Sequence, residues 1–469
     1  MGMSNGAEAY NKTREFSPAN TKEYWKNRAQ ENYGLLKSKN PNLAQAYANV
    51  IKDHYNLAAI KLTDMDIKQN AHFNSCGQQD GQFYPEVAFN LSNMETYTEP
   101  GMDILLKQVS IQLGARYEDI KNDQELVSTF ILLHEFGHGA DFIDNYLKPD
   151  ENRDKPLSEV LKGAVKANRQ SRLKDEMTMP IPGHVKLESR EDRKKYRKRL
   201  EAFGIEPDTD GHISRQQVNT AQDISYREMS SEAKADYFAR NYIMKHRDEF
   251  FLPVGAKDDG SGRIKTGEKI PMDEEEIILS GIRDGKNITL TKIAQTGKSD
   301  IPVGYKRSGF VIGQIGQMRG INLVQDITDD SRTMTSNIIS VERQLLPNGK
   351  NTFTAKTISG ATYEITQNPN IRPNPVHSSV EEMNSALGLS AGSEAMLMKR
   401  DIKSGSASGV IVGAVMDGKL RHTPRDGSDI TLLGPNGGST TEIKEVRRVW
   451  RTWLFKTSSG SIYEITPET

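Results

Sequence analysis

Ser128-Thr129-Phe130-Ile131-Leu132-Leu133-His134-Glu135-Phe136-Gly137-His138-Gly139 is an apolar run carrying two histidines four positions apart, with a glutamate directly after the first. The run reads as a buried helix. At 3.6 residues per turn, His134 and His138 share one face a turn apart, so both imidazoles can reach one ion. Glu135 lies about 100° round the axis. That is too far round for a third ligand, but well placed to touch a water held by the ion. Just upstream, Asn122-Asp123-Gln124-Glu125 supplies a helix start, a capping side chain followed three residues on by a glutamate. The helix is expected to run from there to about Tyr146. Gly137 and Gly139 each weaken it by up to about 1 kcal/mol relative to alanine. Such a cost points to another backbone packed closely against the helix.

His-Glu-x-x-His on a helix is a zinc-site pattern in which the glutamate serves as general base. The competing explanation is a helix with two core histidines. Two histidines do not complete a catalytic site, which needs a third protein ligand and an open position for water. A helical pattern from Ser230 to about His246, with Ser230 or Ser231 as N-cap, carries Glu232-Ala233-Lys234-Ala235-Asp236-Tyr237-Phe238-Ala239. Glu232 and Asp236 are i and i+4 and share a face. That spacing lets Glu232 bind metal while Asp236 accepts a hydrogen bond from the far nitrogen of a ligating histidine. Taken alone, a solvent-exposed pair of acids explains the spacing equally simply.

Together the two motifs resemble the gluzincin group of zinc metallopeptidases, in which a His-Glu-x-x-His helix precedes a helix bearing Glu-x-x-Ala-Asp-x-Phe-Ala. The longer form stands intact from Glu232 to Ala239. The resemblance covers roughly the first half of the chain and is specific only at these two motifs. It implies His134, His138 and Glu232 as ligands of Zn2+, with Asp236 behind them and a fourth position left for water. Glu135 would take that water's proton for attack on a peptide carbonyl and return it to the leaving amine. Glu86-Val87-Ala88-Phe89-Asn90-Leu91 looks like the group's edge strand, so Val87, Ala88, Phe89 and Asn90 are expected to hold substrate by main-chain hydrogen bonds. The oxyanion needs a further donor, and Tyr226, Tyr237, His184, His212 and His246 all remain open for that role. A rival third ligand is Asp144, ten residues after His134 as in metzincins. Those enzymes turn the chain at a glycine where this sequence has Asp141, so Glu232 is preferred.

Elsewhere in the first half, helices are expected from Asn20 to about Leu36, from Pro41 to Tyr55 and from Met102 to about Ala115. Ala58–Leu62 and Phe83–Leu91 read as strands separated by a turn around Gly77 to Gly81. From Asp150 to Ser225 the chain is polar and highly charged, and Lys186 to Arg199 reads as a solvated helix.

The C-terminal half contains a duplication. Ser308-Gly309-Phe310-Val311-Ile312-Gly313 returns as Ser408-Gly409-Val410-Ile411-Val412-Gly413, and Lys356–Thr366 returns as Lys456–Thr466, both one hundred residues on. Each copy reads as short alternating strands, a small β-barrel or curled sheet of SH3-like size. Trp450 and Trp453 fall in one strand pattern. The expected architecture is multidomain α+β: a mainly helical, zincin-like domain with a small sheet (1–253), a linker (254–275), a first β-module (276–368), a linker with a short helix from Ser379 to Leu387 (369–392), and a second β-module (393–469).

With 62 basic and 63 acidic residues in 469, the chain is balanced overall, which argues against nucleic acid or an anionic membrane as its main partner. No apolar stretch approaches eighteen residues, the N-terminus carries no secretory pattern, and Cys76 is the single cysteine. A cytoplasmic location is therefore expected, although export without a signal leaves the same sequence. The reading is a zinc-dependent endopeptidase acting on peptide or protein, with β-modules that position substrate, dock a protein partner or cover the site. Two alternatives stand beside it: an inactive binding or scaffold protein working through the β-modules, and a metal-dependent hydrolase of a non-protein substrate.

Overall fold

The fold is taken from a computed structural model. It describes residues 18–67, 70–79, 82–92, 102–147, isolated helical positions between 159 and 200, and 213–246. In the C-terminal half it describes 267–313, 315–316, 319–325, 333–346, 350–369, 371–401 and 415–467. The chain divides into two compact units. The first is Met1–Arg172 with Arg227–Ile270 and Arg343–Asn351, and the second is Leu173–Tyr226 with Pro271–Glu342 and Thr352–Thr469. The stretch 173–226, expected with the N-terminal domain, is thus grouped with the β-modules.

In the first unit, α1 (Pro18–Lys39) and α2 (Pro41–Asp53) pack on a 3-10 turn at Tyr55–Ala59, followed by β1 (Lys61–Asp64). Asn40 caps α2 by accepting from the Asn42 and Leu43 amides, which leaves Pro41 at a position where its missing N–H costs nothing. Two further strands, β2 (Ala71–Gln79) and β3 (Gln82–Phe89), complete a three-stranded sheet in the order β1-β3-β2. The strand β2 is absent from the sequence reading.

The short helices α3 (Met102–Leu113) and α4 (Tyr117–Lys121) lead into α5 (Gln124–Phe142), which carries the quoted stretch. Asp123 caps α5 by accepting from the Leu126 amide, and a π-helical turn, Ile143–Leu147, follows directly. Every residue of α5 from Leu126 to Gly137 is buried, which is why its sequence shows no polar face. Across the charged middle of the chain come α6 (Arg215–Arg227) and α7 (Ser230–Lys245). The residue before α7, Met229, caps it without a side-chain hydrogen bond, so neither Ser230 nor Ser231 serves as N-cap.

Close approach of α5 and α7 depends on one glycine. A β-carbon on Gly137 would sit 2.7 Å from Ala235 Cα and 3.0 Å from both Ala235 O and Phe238 Cβ. The expectation of a neighbouring backbone holds at this position. At Gly139 the neighbour is a side chain, with Ile60 Cδ1 2.2 Å from the same notional atom. Gly34, on α1, has nothing within 4 Å.

The two positions therefore predict opposite signs. Gly34→Ala should stabilise by up to about 1 kcal/mol through helix propensity alone. Gly137→Ala gains the same term but overpacks a rigid contact at a cost of about 1–3 kcal/mol, for a net loss of up to about 2 kcal/mol. Urea unfolding followed by circular dichroism reads both, and equal shifts in one direction would refute the packing account.

The C-terminal half forms two eight-stranded sheets of identical topology. The first is ordered β4-β9-β10-β11-β5-β6-β7-β8, from β4 (Lys269–Pro271), β5 (Asn287–Gln295), β6 (Lys306–Ile312), β7 (Asn322–Val324), β8 (Thr333–Met334), β9 (Ile338–Leu345), β10 (Asn351–Thr357) and β11 (Ala361–Gln367). The second is ordered β12-β17-β18-β19-β13-β14-β15-β16, from β12 (Val376–Ser378), β13 (Glu394–Asp401), β14 (Val415–Leu420), β15 (Thr431–Leu433), β16 (Gly438–Ser439), β17 (Ile443–Val449), β18 (Thr452–Thr457) and β19 (Ile462–Pro467). A short helix with a capping box follows the first strand of each: α8 (Glu274–Leu279) behind Asp273, and α9 (Val380–Leu387) behind Ser379.

Both sheets therefore begin earlier than the expected module boundaries. The first takes β4 from the stretch 254–275, and the second takes β12 and α9 from 369–392. Proline-rich and glycine-rich composition marks these stretches as linkers, but a three-residue strand paired at a sheet edge needs no periodicity of its own.

The duplication extends to individual hydrogen bonds. Thr335 Oγ1 accepts from the Ile321 amide and donates to Ser336 O, and Thr440 Oγ1 repeats both bonds with Ile430 and Thr441. Trp453 is buried in β18, whereas Trp450 occupies the β17–β18 turn with φ 56, so the two do not share a strand. The Trp450 Nε1–H donates to Asp284 Oδ2 (2.6 Å), and Arg451 Nη2 lies 2.9 Å from Asp284 Oδ1, which ties the two modules together within their unit.

Candidate metal centre

The groups that converge come from α5 and α7. His134 Nε2 and His138 Nε2 are 3.1 Å apart, and Glu232 Oε2 lies 3.2 Å from the first and 3.5 Å from the second. A tetrahedral ion with bonds of about 2.05 Å holds its donor atoms about 3.3 Å apart. All three edges of the triangle fall close to that spacing. The group His134, His138 and Glu232 is therefore able to hold a metal ion, and it is the one such cluster among the described residues.

The electrostatics agree with the geometry. His134 Nδ1–H donates to Asp236 Oδ1 at 2.8 Å, which fixes the tautomer and turns the lone pair of Nε2 toward the focus. Glu232 Oε2 is buried and receives no hydrogen bond. Burial works to lower the pKa of His134, but Asp236 and Glu232 beside the ring outweigh it and bring it up to about 9. Burial likewise works to raise that of Glu232, and the two imidazoles hold it below the usual carboxylate range instead. The focus thus favours positive charge, and two ring nitrogens that can give up a proton, beside a buried carboxylate oxygen that receives no hydrogen bond, suit a divalent cation.

His134, Glu232 and Asp236 are buried, while the His138 side chain retains 19% exposure, so solvent reaches the centre on its side. Glu135, the next residue after the first ligand, is buried at 8% exposure.

Two supports of Asp236 have no signature in the sequence. Gln112 Nε2 of α3 donates to its Oδ2 and Arg227 Nη1, at the end of α6, to its Oδ1, each at 3.3 Å. Asp236 thereby gathers three segments around the histidine it orients. Asp236→Ala should lower metal affinity by about 10- to 100-fold while leaving one ion per chain at saturation. Competition with a chromophoric chelator measures this, and an unchanged affinity would remove Asp236 from the centre.

The remaining expected site residues fall elsewhere. β3 is the central strand, parallel to β1 through Lys61–Asp64 and antiparallel to β2. Its main-chain groups are engaged on both sides, and Val87, Ala88 and Phe89 are buried at 0–1% exposure. Val87, Ala88, Phe89 and Asn90 therefore do not form an open edge, and that expectation is corrected. The outer strands are β1 and β2.

Of the oxyanion candidates, Tyr237 is 62% exposed and Tyr226 41% exposed. His246 caps the far end of α7, about 21 Å along the axis from Glu232. There it stacks on Tyr242 at 4.5 Å and pairs with Asp53 at 3.5 Å. His246 is thus not a donor at this centre. His184 and His212 lie outside the described residues, as does the stretch Lys186 to Arg199. Asp144, the rival ligand, is exposed on the π-helical turn and is not part of the cluster.

No protein-family model, no curated protein and no solved structure matches this chain. Among the described residues no helix is long and apolar enough to cross a membrane.

Proposed function

We propose that the chain is a zinc-dependent endopeptidase of gluzincin type. The observation that supports this most is the convergence of His134, His138 and Glu232 across 98 residues of sequence, with a buried glutamate directly after the first ligand. A cation site used only for stability is closed by a fourth protein ligand, whereas the three ligands found among the described residues, with His138 partly open to solvent, suit a catalytic centre.

A zinc ion held there would supply Lewis acidity for the attacking water. The chain's own residues do the rest. His134, His138 and Glu232 would hold the ion, and Asp236 keeps His134 in the tautomer that can bind it. Glu135 accepts a proton from the attacking water and passes it to the departing amine, which its position about 100° round the helix from His134 allows. Burial of Glu135 keeps bulk water from competing for that proton. Because β3 is enclosed, an extended peptide adds to the sheet only along β1 or β2.

The test is hydrolysis of an unfolded protein by the purified chain. A chelator should abolish cleavage and added zinc should restore it, with new amino termini detected in the products. Activity untouched by chelation would overturn the proposal. Loss and recovery of another hydrolytic activity, without new amino termini, would favour a non-protein substrate.

A further inference from the structure

At one end of the first sheet, the β5–β6 hairpin displays apolar side chains to solvent. Ile293 is 42% exposed, Ile301 41%, Val303 59% and Tyr305 41%. The β10–β11 turn joins it there: Thr296 N–H donates to Gly360 O at 2.8 Å and Gln295 Nε2 to Ser359 O at 2.8 Å. That turn adds Ile358, 58% exposed. Scattered exposed apolar residues are ordinary, but five on two adjoining turns make a patch.

The tip is ordered from beneath. Lys292 is buried at 1% exposure, and its ammonium donates to Ser299 Oγ (2.7 Å) and Ile301 O (2.6 Å). Main-chain bonds from Gly304 N to Lys292 O (2.7 Å) and from Lys292 N to Tyr305 O (2.9 Å) clamp the two strands. A buried charge is costly. Here it fixes a loop whose apolar side chains point into solvent, so the fold presents these residues rather than tolerating them.

At the two patch positions that are described in both modules, the second module differs from the first. Lys399 pairs with Tyr463 as Lys292 pairs with Tyr363, so Arg400 occupies the position of Ile293. Arg400 Nε donates to Glu464 at 2.7 Å and is buried. Ser458 likewise stands where the first copy has Ile358. Two polar positions of one copy are thus exposed isoleucines in the other.

The charge around the tip selects the occupant. From Ile293 to Arg307 the segment holds Lys298, Lys306 and Arg307 against the single acid Asp300, in a chain whose net charge is −1. Aliphatic residues and a tyrosine exposed on a hairpin, flanked by cations, match the boundary between acyl chains and anionic headgroups. We propose that the β5–β6 hairpin is a docking site for an anionic lipid surface, into which Ile301, Val303 and Tyr305 insert while Lys298 and Lys306 meet the headgroups. Whole-chain neutrality hides this local asymmetry.

The experiment is co-sedimentation of the full chain with vesicles of phosphatidylcholine alone and of phosphatidylcholine with 30% phosphatidylserine. Binding to the anionic vesicles is expected to fall at least tenfold in Val303→Asp and in the double variant Lys298→Gln with Lys306→Gln, and to weaken in high salt. Val303→Trp should show a blue-shifted fluorescence on adding anionic vesicles. All three positions are exposed, and unchanged circular dichroism confirms that each variant folds. Wild-type protein that stays in the supernatant with both vesicle types overturns the proposal, as does Val303→Asp binding as well as wild type. Equal binding to both vesicle types overturns the anionic selection.

Discussion

Glu135→Gln is expected to lower peptide cleavage by about a thousandfold while the protein still binds one metal ion per chain with unchanged affinity. The two halves of this result have separate causes. Glutamine keeps the shape and burial of the side chain, so packing along α5 is preserved. It cannot accept a proton at neutral pH, so the base is lost. Metal retention follows because Glu135 lies round the helix from the face that carries His134 and His138 and contributes no atom to the cluster. Cleavage of a quenched fluorescent peptide library and metal analysis of the same sample read the two halves together. Equal cleavage by both proteins would remove Glu135 as the base, whereas loss of metal would make it a ligand.

Glu232→Ala is expected to do the reverse, striking the ion first. Binding of a structural zinc by four ligands is worth on the order of 10–16 kcal/mol. Loss of one ligand should therefore cost about 3–4 kcal/mol, a fall of several hundredfold in affinity. Activity should vanish at ordinary zinc concentrations. Asp144→Ala is the matched control, since Asp144 is exposed on the turn that follows α5. It should bind zinc as wild type does. The opposite pattern, with Asp144→Ala losing metal and Glu232→Ala keeping it, would transfer the third-ligand role and overturn the centre described above.

The chain's own order of residues carried much of this centre. His134 and His138 are one helical turn apart, and Glu232 and Asp236 are likewise. Spacing within a helix is a local property, so each pair could be read before the fold was known. That the two pairs meet is also written at Gly137, whose missing β-carbon admits the backbone of Ala235. The duplication is legible in Lys356–Thr366 and Lys456–Thr466, which form matching hairpins, β10–β11 and β18–β19; the other repeat, Ser408–Gly413, lies outside the described residues.

What stayed hidden has a common character. The apolar run of β3 reads as an edge strand because it gives no information about how many neighbours the strand has. Only the strand on each side, one of them β2 with its weak polar pattern, makes it central. Gln112 and Arg227 carry no motif, and their role exists only because α3 and the end of α6 are brought to Asp236. Trp450 reads as one more strand residue until the turn that holds it is placed against Asp284.

The sequence by itself determined the two helices of the centre, the three side chains able to hold a metal ion and the twofold repeat, since periodicity and spacing act over a few bonds. The tertiary structure alone decided which strand edges stay open, what steadies Asp236 and which side of the centre meets water. Those depend on partners far along the chain, and no local pattern encodes a distant partner.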